Sequence, residues 1–386
     1  MKILFVHNNY GNNNSGEEHA AQSIAELLLG HGHEVRWYRR SSDELNSRPK
    51  KAMAFFTGVW NPVAVKELSE IIEDFHPDII QLQNLYPLIS PAIINLIKSK
   101  GIPIVMRCPN YRLFCPSGLH LNSKGEICEK CLSVGKEMHC ILNNCEGNII
   151  KSTGYALRNF TARSIWNLYN NVDIYIVQSE FQKDKFVLNG LPGSKIVIVP
   201  GLTPEVENYT DYKLGDVVSF IGRASKEKGI EEFVESARKL PEIQFAVAGN
   251  IDPSMENVKL HSPENVEWKG FLEEKELNEF YRNSRIIVVP GKWYEGFPNV
   301  ITRAMIHGKP VISSDLGAMA SIIDHENNGL LVAPGDVDSL AGSIKALYSD
   351  TDKCKNYGLR GKEKAEKEYS SEKIYQKLLK IYNSLS

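Results

Sequence analysis

Arg223 and Lys228 lie in Phe220-Ile221-Gly222-Arg223-Ala224-Ser225-Lys226-Glu227-Lys228-Gly229, between a β-branched run and an amphipathic stretch that begins at Ile230. Two cations beside glycines and a helix N-terminus suit a diphosphate, with arginine offering a fork and lysine a point charge. The segment lacks the Gly-Lys-Ser/Thr ending of a P-loop, so hydrolysis of a nucleoside triphosphate is not indicated. A solvated loop rich in Lys and Glu has the same composition and stays open as an alternative.

A second segment, Trp293-Tyr294-Glu295-Gly296-Phe297-Pro298-Asn299-Val300, follows the run 286–289. Glu295 there can accept hydrogen bonds from sugar hydroxyls, while a helix starting near Pro298 faces phosphate. The plainer reading is a glutamate that caps the helix. The turn 8–18 after the first apolar run holds Gly11, Ser15 and Gly16 just before an amphipathic helix. That arrangement fits close approach of an anion, and equally a tight turn with Ser15 as N-cap.

Six of the seven cysteines fall within 108–149, a segment with little periodicity. Cys128-x-x-Cys131 followed by Cys140-x4-Cys145 gives two pairs able to meet around one tetrahedral zinc ion. Cys115 is an alternative ligand, and Cys108, His120 and His139 are weaker ones. Four thiolates would close the coordination sphere, so such a zinc would fold the insertion and activate no water. Buried, unligated thiols are the other reading, and Cys354, far away in a charged stretch, reads as packing.

The elements that must position these groups follow from periodicity. β-branched runs at 3–7, 34–38, 79–82, 102–106, 174–178 and 196–199 alternate with amphipathic segments, and a second series comprises 217–221, 245–248, 266–268, 286–289 and 311–313. This is the pattern of parallel α/β sheets, here two doubly wound domains, with a hinge at 200–215. A chain of 386 residues is also too long for one ordinary core. With 45 basic against 47 acidic residues it has no electrostatic footprint for nucleic acid, although residues 1–200 carry a slight basic excess. No run reaches the 18 or so apolar residues of a membrane span, and residues 3–6 are too short for a signal peptide, so a cytoplasmic location is expected. Residues 151–171 read as one helix with Arg158 and Arg163 on its polar side and Leu157, Phe160, Ile165, Trp166 and Tyr169 as apolar material. Ordinary core packing and contact with a membrane surface both fit that stripe.

Together these segments resemble family 4 of the glycosyltransferases, through Ser15-Gly16-Glu17-Glu18, Gly32-His33-Glu34-Val35, Gly222-Arg223 with Lys228-Gly229, Glu295 to Ile301, Gly308-Lys309-Pro310-Val311-Ile312 and Asn328-Gly329-Leu330-Leu331-Val332. A Cys-containing branch of the family is matched by Asn84 to Pro91, Asn110 to Pro116 and Cys128-Glu129-Lys130-Cys131. The resemblance implies a GT-B fold: a Rossmann-like acceptor domain at 1–205 with the Cys-rich insertion 108–149, a nucleotide-sugar domain at 206–370, facing across a cleft, and a terminal helix 371–386 packing back on the first. It implies retaining transfer of a sugar from a nucleotide donor to a glycan or lipid-linked acceptor with no catalytic metal; peripheral contact with the inner face of a membrane is the option that the helix 151–171 leaves open. Arg223 and Lys228 would hold the leaving diphosphate, Glu295 the sugar hydroxyls, and the backbone at Gly16 and across Gly296, Phe297, Pro298, Asn299 and Val300 would complete the anion site. Two positions depart from the family. Arg303 stands where a glutamate contacts the ribose, which leaves open a pairing with Glu295 or an extra phosphate on the donor, and Pro109 stands where a histidine lies near the sugar. A catalytically silent homologue that binds nucleotide or glycan is the alternative these departures keep open, whereas a zinc hydrolase is disfavoured for want of an open His/Glu triad.

Overall fold

The computed structural model describes residues 1–10, 16–203 and 213–385. The Ser15 cap, Gly11 and most of the 200–215 hinge therefore lie outside the described residues. The chain divides into two compact units, Met1–Lys124 with Cys128–Leu202 and Ile374–Ser386, and Gly125–Ile127 with Thr203–Lys373.

In the first unit six parallel strands, β1 (Lys2–Asn9), β2 (Glu34–Ser41), β3 (Ile79–Leu82), β4 (Ile104–Arg107), β5 (Ile174–Val177) and β6 (Ile196–Ile198), run in the order β2-β1-β3-β4-β5-β6. Every residue of β3 and β4 is buried, as expected where helices cover both faces of a parallel sheet. Ile374, Leu378 and Ile381, spaced along one face of the helix Ser371–Asn383, pack with Ile3, Phe5, Ile79 and Val105.

The second unit has β7 (Val217–Ile221), β8 (Gln244–Ala248), β9 (Val266–Gly270), β10 (Ser284–Val289), β11 (Val311–Ser314) and β12 (Gly329–Val332), in the order β12-β11-β10-β7-β8-β9. The helix Ile230–Lys239 shows how the sequence sets this layer. Ile230, Phe233, Val234 and Ala237 recur at helical spacing and are buried, Glu231 and Glu232 sit in the first turn, and Arg238 and Lys239 in the last, matching the helix dipole. Full burial of Phe233 contributes about 2 to 3 kcal/mol.

In each sheet the strand order reverses once, between β1 and β3 in the first and between β7 and β10 in the second. Ligands of open α/β sheets bind outside the carboxyl ends of the strands that flank such a reversal.

Two readings of the sequence are corrected. The strand β12 was not among the expected runs, since Gly-Leu-Leu-Val offers only one β-branched residue. The segment 151–171 is two helices, Ile149–Ser164 and Leu168–Asn171, broken at Asn167 in a left-handed conformation (φ 46°). Its faces are also reversed: Arg158 is buried, whereas Leu157, Phe160 and Ile165 are exposed.

Candidate functional site

In the second unit, the loops after β7 and β10 flank the strand-order reversal. Gly229 lets them touch: its φ is +78°, and a Cβ built there would lie 2.0 Å from the Pro290 carbonyl oxygen. Lys292 fastens the same two loops, its backbone N–H donating to the Glu227 carbonyl (2.8 Å) and its Nζ to Glu232 Oε1 (2.5 Å).

This clamp brings together two residues that are 67 apart in the chain: Lys228 Nζ donates to Glu295 Oε1. The same oxygen accepts from Trp293 Nε1 at 3.2 Å, and the Trp293 ring lies 5.2 Å from the Lys228 ammonium. The Glu295 side chain is 9% exposed and that of Lys228 27%, so the pair is largely shielded from bulk water. Trp293 is a contributor that spacing did not single out, although it sits two residues before the glutamate.

Arg223 occupies a different position. Its side chain is exposed and paired with Glu227 in the same loop. Gly296, Phe297 and Pro298 lead into the helix Asn299–Ile306, where the Ile301 N–H donates to the Pro298 carbonyl (2.9 Å). Val300 packs in the core around Ile301, and Phe297 meets Tyr369 edge to face at 5.6 Å.

Arg303 does not pair with Glu295. It is bound by Glu274, by Asn278 Oδ1 at 2.7 Å, and lies 5.4 Å from the centre of the Tyr281 ring. Helical spacing does not relate the two residues, because Glu295 lies in the loop before the helix begins.

In the first unit, Gly16 opens the helix Gly16–Gly30, and Glu17 and Glu18 complement its dipole. Glu18 Oε1 accepts from the Tyr10 N–H (2.6 Å); Glu17 Oε2 accepts from the Tyr10 hydroxyl (2.8 Å) and Asn110 Nδ2 (3.2 Å). Arg112 Nη1 donates to the Tyr10 oxygen at 2.5 Å. Burial and the neighbouring Glu17 push the Tyr10 phenol well above its ordinary range, so it serves as a hydrogen-bonding relay and not as a titrating group.

The expected zinc site is not supported. Cys131 and Cys140 pack with Ala156 and Cys145 in a small apolar cluster, and all seven cysteines are free. Among the described residues no group of three or more His, Cys, Asp or Glu side chains is placed to hold a metal, so Cys115, Cys128, Cys131, Cys140 and Cys145 do not fit a ligand set. Burial, with the neighbouring thiols adding to it, raises the Cys131 and Cys140 thiols. Cys354 is buried, with Sγ 3.5 Å from the Arg285 carbonyl oxygen. No helix among the described residues is long and apolar enough to cross a membrane.

Two parallel Rossmann-like sheets, one in each unit, are the fold of the GT-B proteins. Residues 208–364 match the family model described as glycosyl transferases group 1. It is 27% identical over 276 residues to an uncharacterized 42.6 kDa protein in the cps region of Klebsiella pneumoniae, covering 68% of this chain and 64% of that protein. The capsular polysaccharide biosynthesis glycosyltransferase CapM of Staphylococcus aureus is 28% identical over 176 residues, 44% of this chain and 46% of CapM. The matched stretches thus span less than two thirds of either relative. Among solved structures, Anabaena HepE in complex with UDP and glucose superposes with a TM-score of 0.67 at 17% identity, covering 100% of both chains.

Proposed function

We propose that this chain transfers a sugar from a nucleotide-sugar donor to a glycan or glycolipid acceptor, with retention at the anomeric carbon, in polysaccharide or glycoconjugate assembly. The observation that carries this reading is the meeting of Lys228 and Glu295 at the strand-order reversal of the second unit. A donor diphosphate would draw Lys228 and Arg223 to its oxygens, leaving Glu295 to accept hydrogen bonds from the sugar hydroxyls. As the bond between the anomeric carbon and the phosphate oxygen breaks, negative charge grows on the leaving phosphate, and the positioned cations stabilise it. The family match, the role named for CapM, and the UDP and glucose bound by HepE support this assignment.

A thermal-shift titration against UDP, GDP, ADP, dTDP and CMP, with their sugar conjugates, tests it. At a hundred times its dissociation constant a ligand adds about 2.7 kcal/mol of stability. The expected result is a clear shift with one nucleotide and slow hydrolysis of its sugar conjugate without acceptor. A shift without turnover across sugar conjugates would establish the silent homologue instead, a reading favoured by Pro109 and by Arg303, whose guanidinium is already committed to Glu274 and Asn278. Absence of any shift would sink both.

A lipid-linked acceptor has one further support. The helix Ile149–Ser164 exposes Ile150, Leu157 and Phe160 beside Lys151, and Phe56 and Trp60 are exposed nearby in sequence to its neighbour Phe55. Sedimentation with anionic vesicles should carry the protein down, and Leu157→Glu together with Phe160→Glu should leave it in the supernatant; an unaltered distribution would remove the membrane from the proposal.

A further inference from the structure

The first unit has its own strand-order reversal, and a hollow opens at the carboxyl ends of its strands, lined among others by Glu17, Gln83, Asn84, Arg107, Asn110 and Arg112. We infer that this hollow is an oxyanion subsite in which Arg107 receives a carboxylate or phosphate carried by the acceptor, with Gln83 fixing its orientation. The inference rests on the acceptor reading proposed above.

Arg107 is the last residue of β4 and is 3% exposed. Among the described residues it forms no ion pair, and its Nη1 is buried without a hydrogen-bond partner. A guanidinium cannot shed its charge at any ordinary pH, so burying one without a counter-ion is costly unless a ligand supplies the charge. Gln83, one residue beyond β3, is 2% exposed, and both its amide oxygen and its amide nitrogen lack partners. Buried polar groups left unsatisfied on this scale, on two adjacent strand ends facing one hollow, are what a ligand site looks like without its ligand.

The charge balance points the same way. Glu17 is the one carboxylate lining the hollow, and its Oε2 is taken by Tyr10 and Asn110. Through the Tyr10 hydroxyl it is tied to Arg112, and it acts on Arg107 only through space, with no ion pair between them. A third guanidinium, Arg158, is buried within electrostatic reach of Arg112, its charge resting on the faces of Tyr86 (4.0 Å) and Tyr155 (4.3 Å) and its Nη2 donating to the Pro116 carbonyl (3.1 Å). Two guanidiniums, buried Arg107 and half-buried Arg112, therefore line the hollow with a single carboxylate, and an arginine fork matches the two oxygens of a carboxylate or phosphate. A neutral sugar could satisfy hydrogen bonds here but not the charge.

Calorimetric titration of the full chain with methyl glucuronide, inorganic phosphate and methyl glucoside tests this. Either anion should bind at least about tenfold more tightly than the neutral glucoside, and the tighter of the two identifies the source of the charge. Glucuronide and phosphate should compete in the wild type. Arg107→Gln should lose at least about tenfold in anion affinity, and Arg107→Lys, which keeps the charge but not the fork, should fall between. Equal affinity for neutral and charged glycosides, simultaneous binding of both anions, or unchanged anion affinity in Arg107→Gln would each overturn the subsite. If Arg107→Gln fails to melt cooperatively, the wild-type competition and Arg107→Lys decide. The nucleotide shift, measured in the same samples, separates the two proposals: anion binding that depends on Arg107 with no nucleotide shift keeps the subsite and removes the transferase, and a nucleotide shift without anion preference does the reverse.

Discussion

Lys228→Ala should lower kcat/KM for the nucleotide sugar by about 10²- to 10³-fold while the protein keeps a cooperative melt, because removing one preorganised group that stabilises developing charge costs about 2.7 to 4 kcal/mol of the barrier. The expectation follows from position. Lys228 lies at the mouth of the strand-order reversal, is partly shielded from solvent, and is aimed by the Trp293 ring and Glu295. A cation so held loses little on reorganising when phosphate replaces the carboxylate as its partner. Arg223 sets the scale for comparison. Its side chain is 58% exposed and engaged by Glu227, so Arg223→Ala should cost less, about tenfold. Steady-state kinetics on both variants, with melting curves alongside, read the difference. Activity of Lys228→Ala within about threefold of wild type, with an intact melt, would remove Lys228 from the leaving-group site.

The contrast between the two cations was not legible in the sequence, where both stand in one loop with equal claim on a diphosphate. Their ranking depends on Gly229 meeting Pro290 and on Lys292 reaching back to Glu227 and Glu232, contacts between segments about sixty residues apart. Most strands were legible because burial on both faces demands apolar, β-branched runs, and the one missed strand, β12, is a four-residue segment that opens with glycine. Arg158 misled for a related reason. An arginine on an amphipathic helix reads as solvent-facing, and it is tertiary packing, which sets the Tyr86 ring and the Pro116 carbonyl against it beside Tyr155 of its own helix, that makes its burial tolerable. Arg107 was hidden in the same way, as the last residue of a strand whose other members are apolar. The cysteine spacing misled in the opposite direction. It satisfies the usual ligand pattern, yet spacing does not fix the direction of the thiols, and among the described residues no three such side chains are placed to hold a metal.

Gly229→Ala should be the more damaging change, although it removes no functional group. An alanine at φ +78° costs about 1 to 2 kcal/mol in backbone strain alone. Its Cβ would lie 2.0 Å from the Pro290 carbonyl oxygen, a backbone atom that can yield only if one of the two loops moves. Together these terms should exceed about 3 kcal/mol, which for a unit of this size lowers the melting temperature by about 6 to 12 °C. Gly342→Ala supplies the opposite sign in the same unit. Gly342 is exposed within the helix Val337–Ser349, and a Cβ there meets nothing within 4 Å, so the substitution should stabilise by about 0.5 to 1 kcal/mol. The pair separates the generic effect of adding a methyl group from the specific requirement at Gly229. Turnover carries the argument from stability to function: displacing the loop after β7 moves Lys228 away from Glu295, so the folded fraction of Gly229→Ala at 20 °C should be less active per molecule than wild type, by a factor approaching that of Lys228→Ala. If that fraction instead turned over at the wild-type rate, the close packing of the two loops would be a matter of stability alone, and the alignment of Lys228 with Glu295 would have to be secured elsewhere, with Lys292 and its bond to Glu232 the next contact to break.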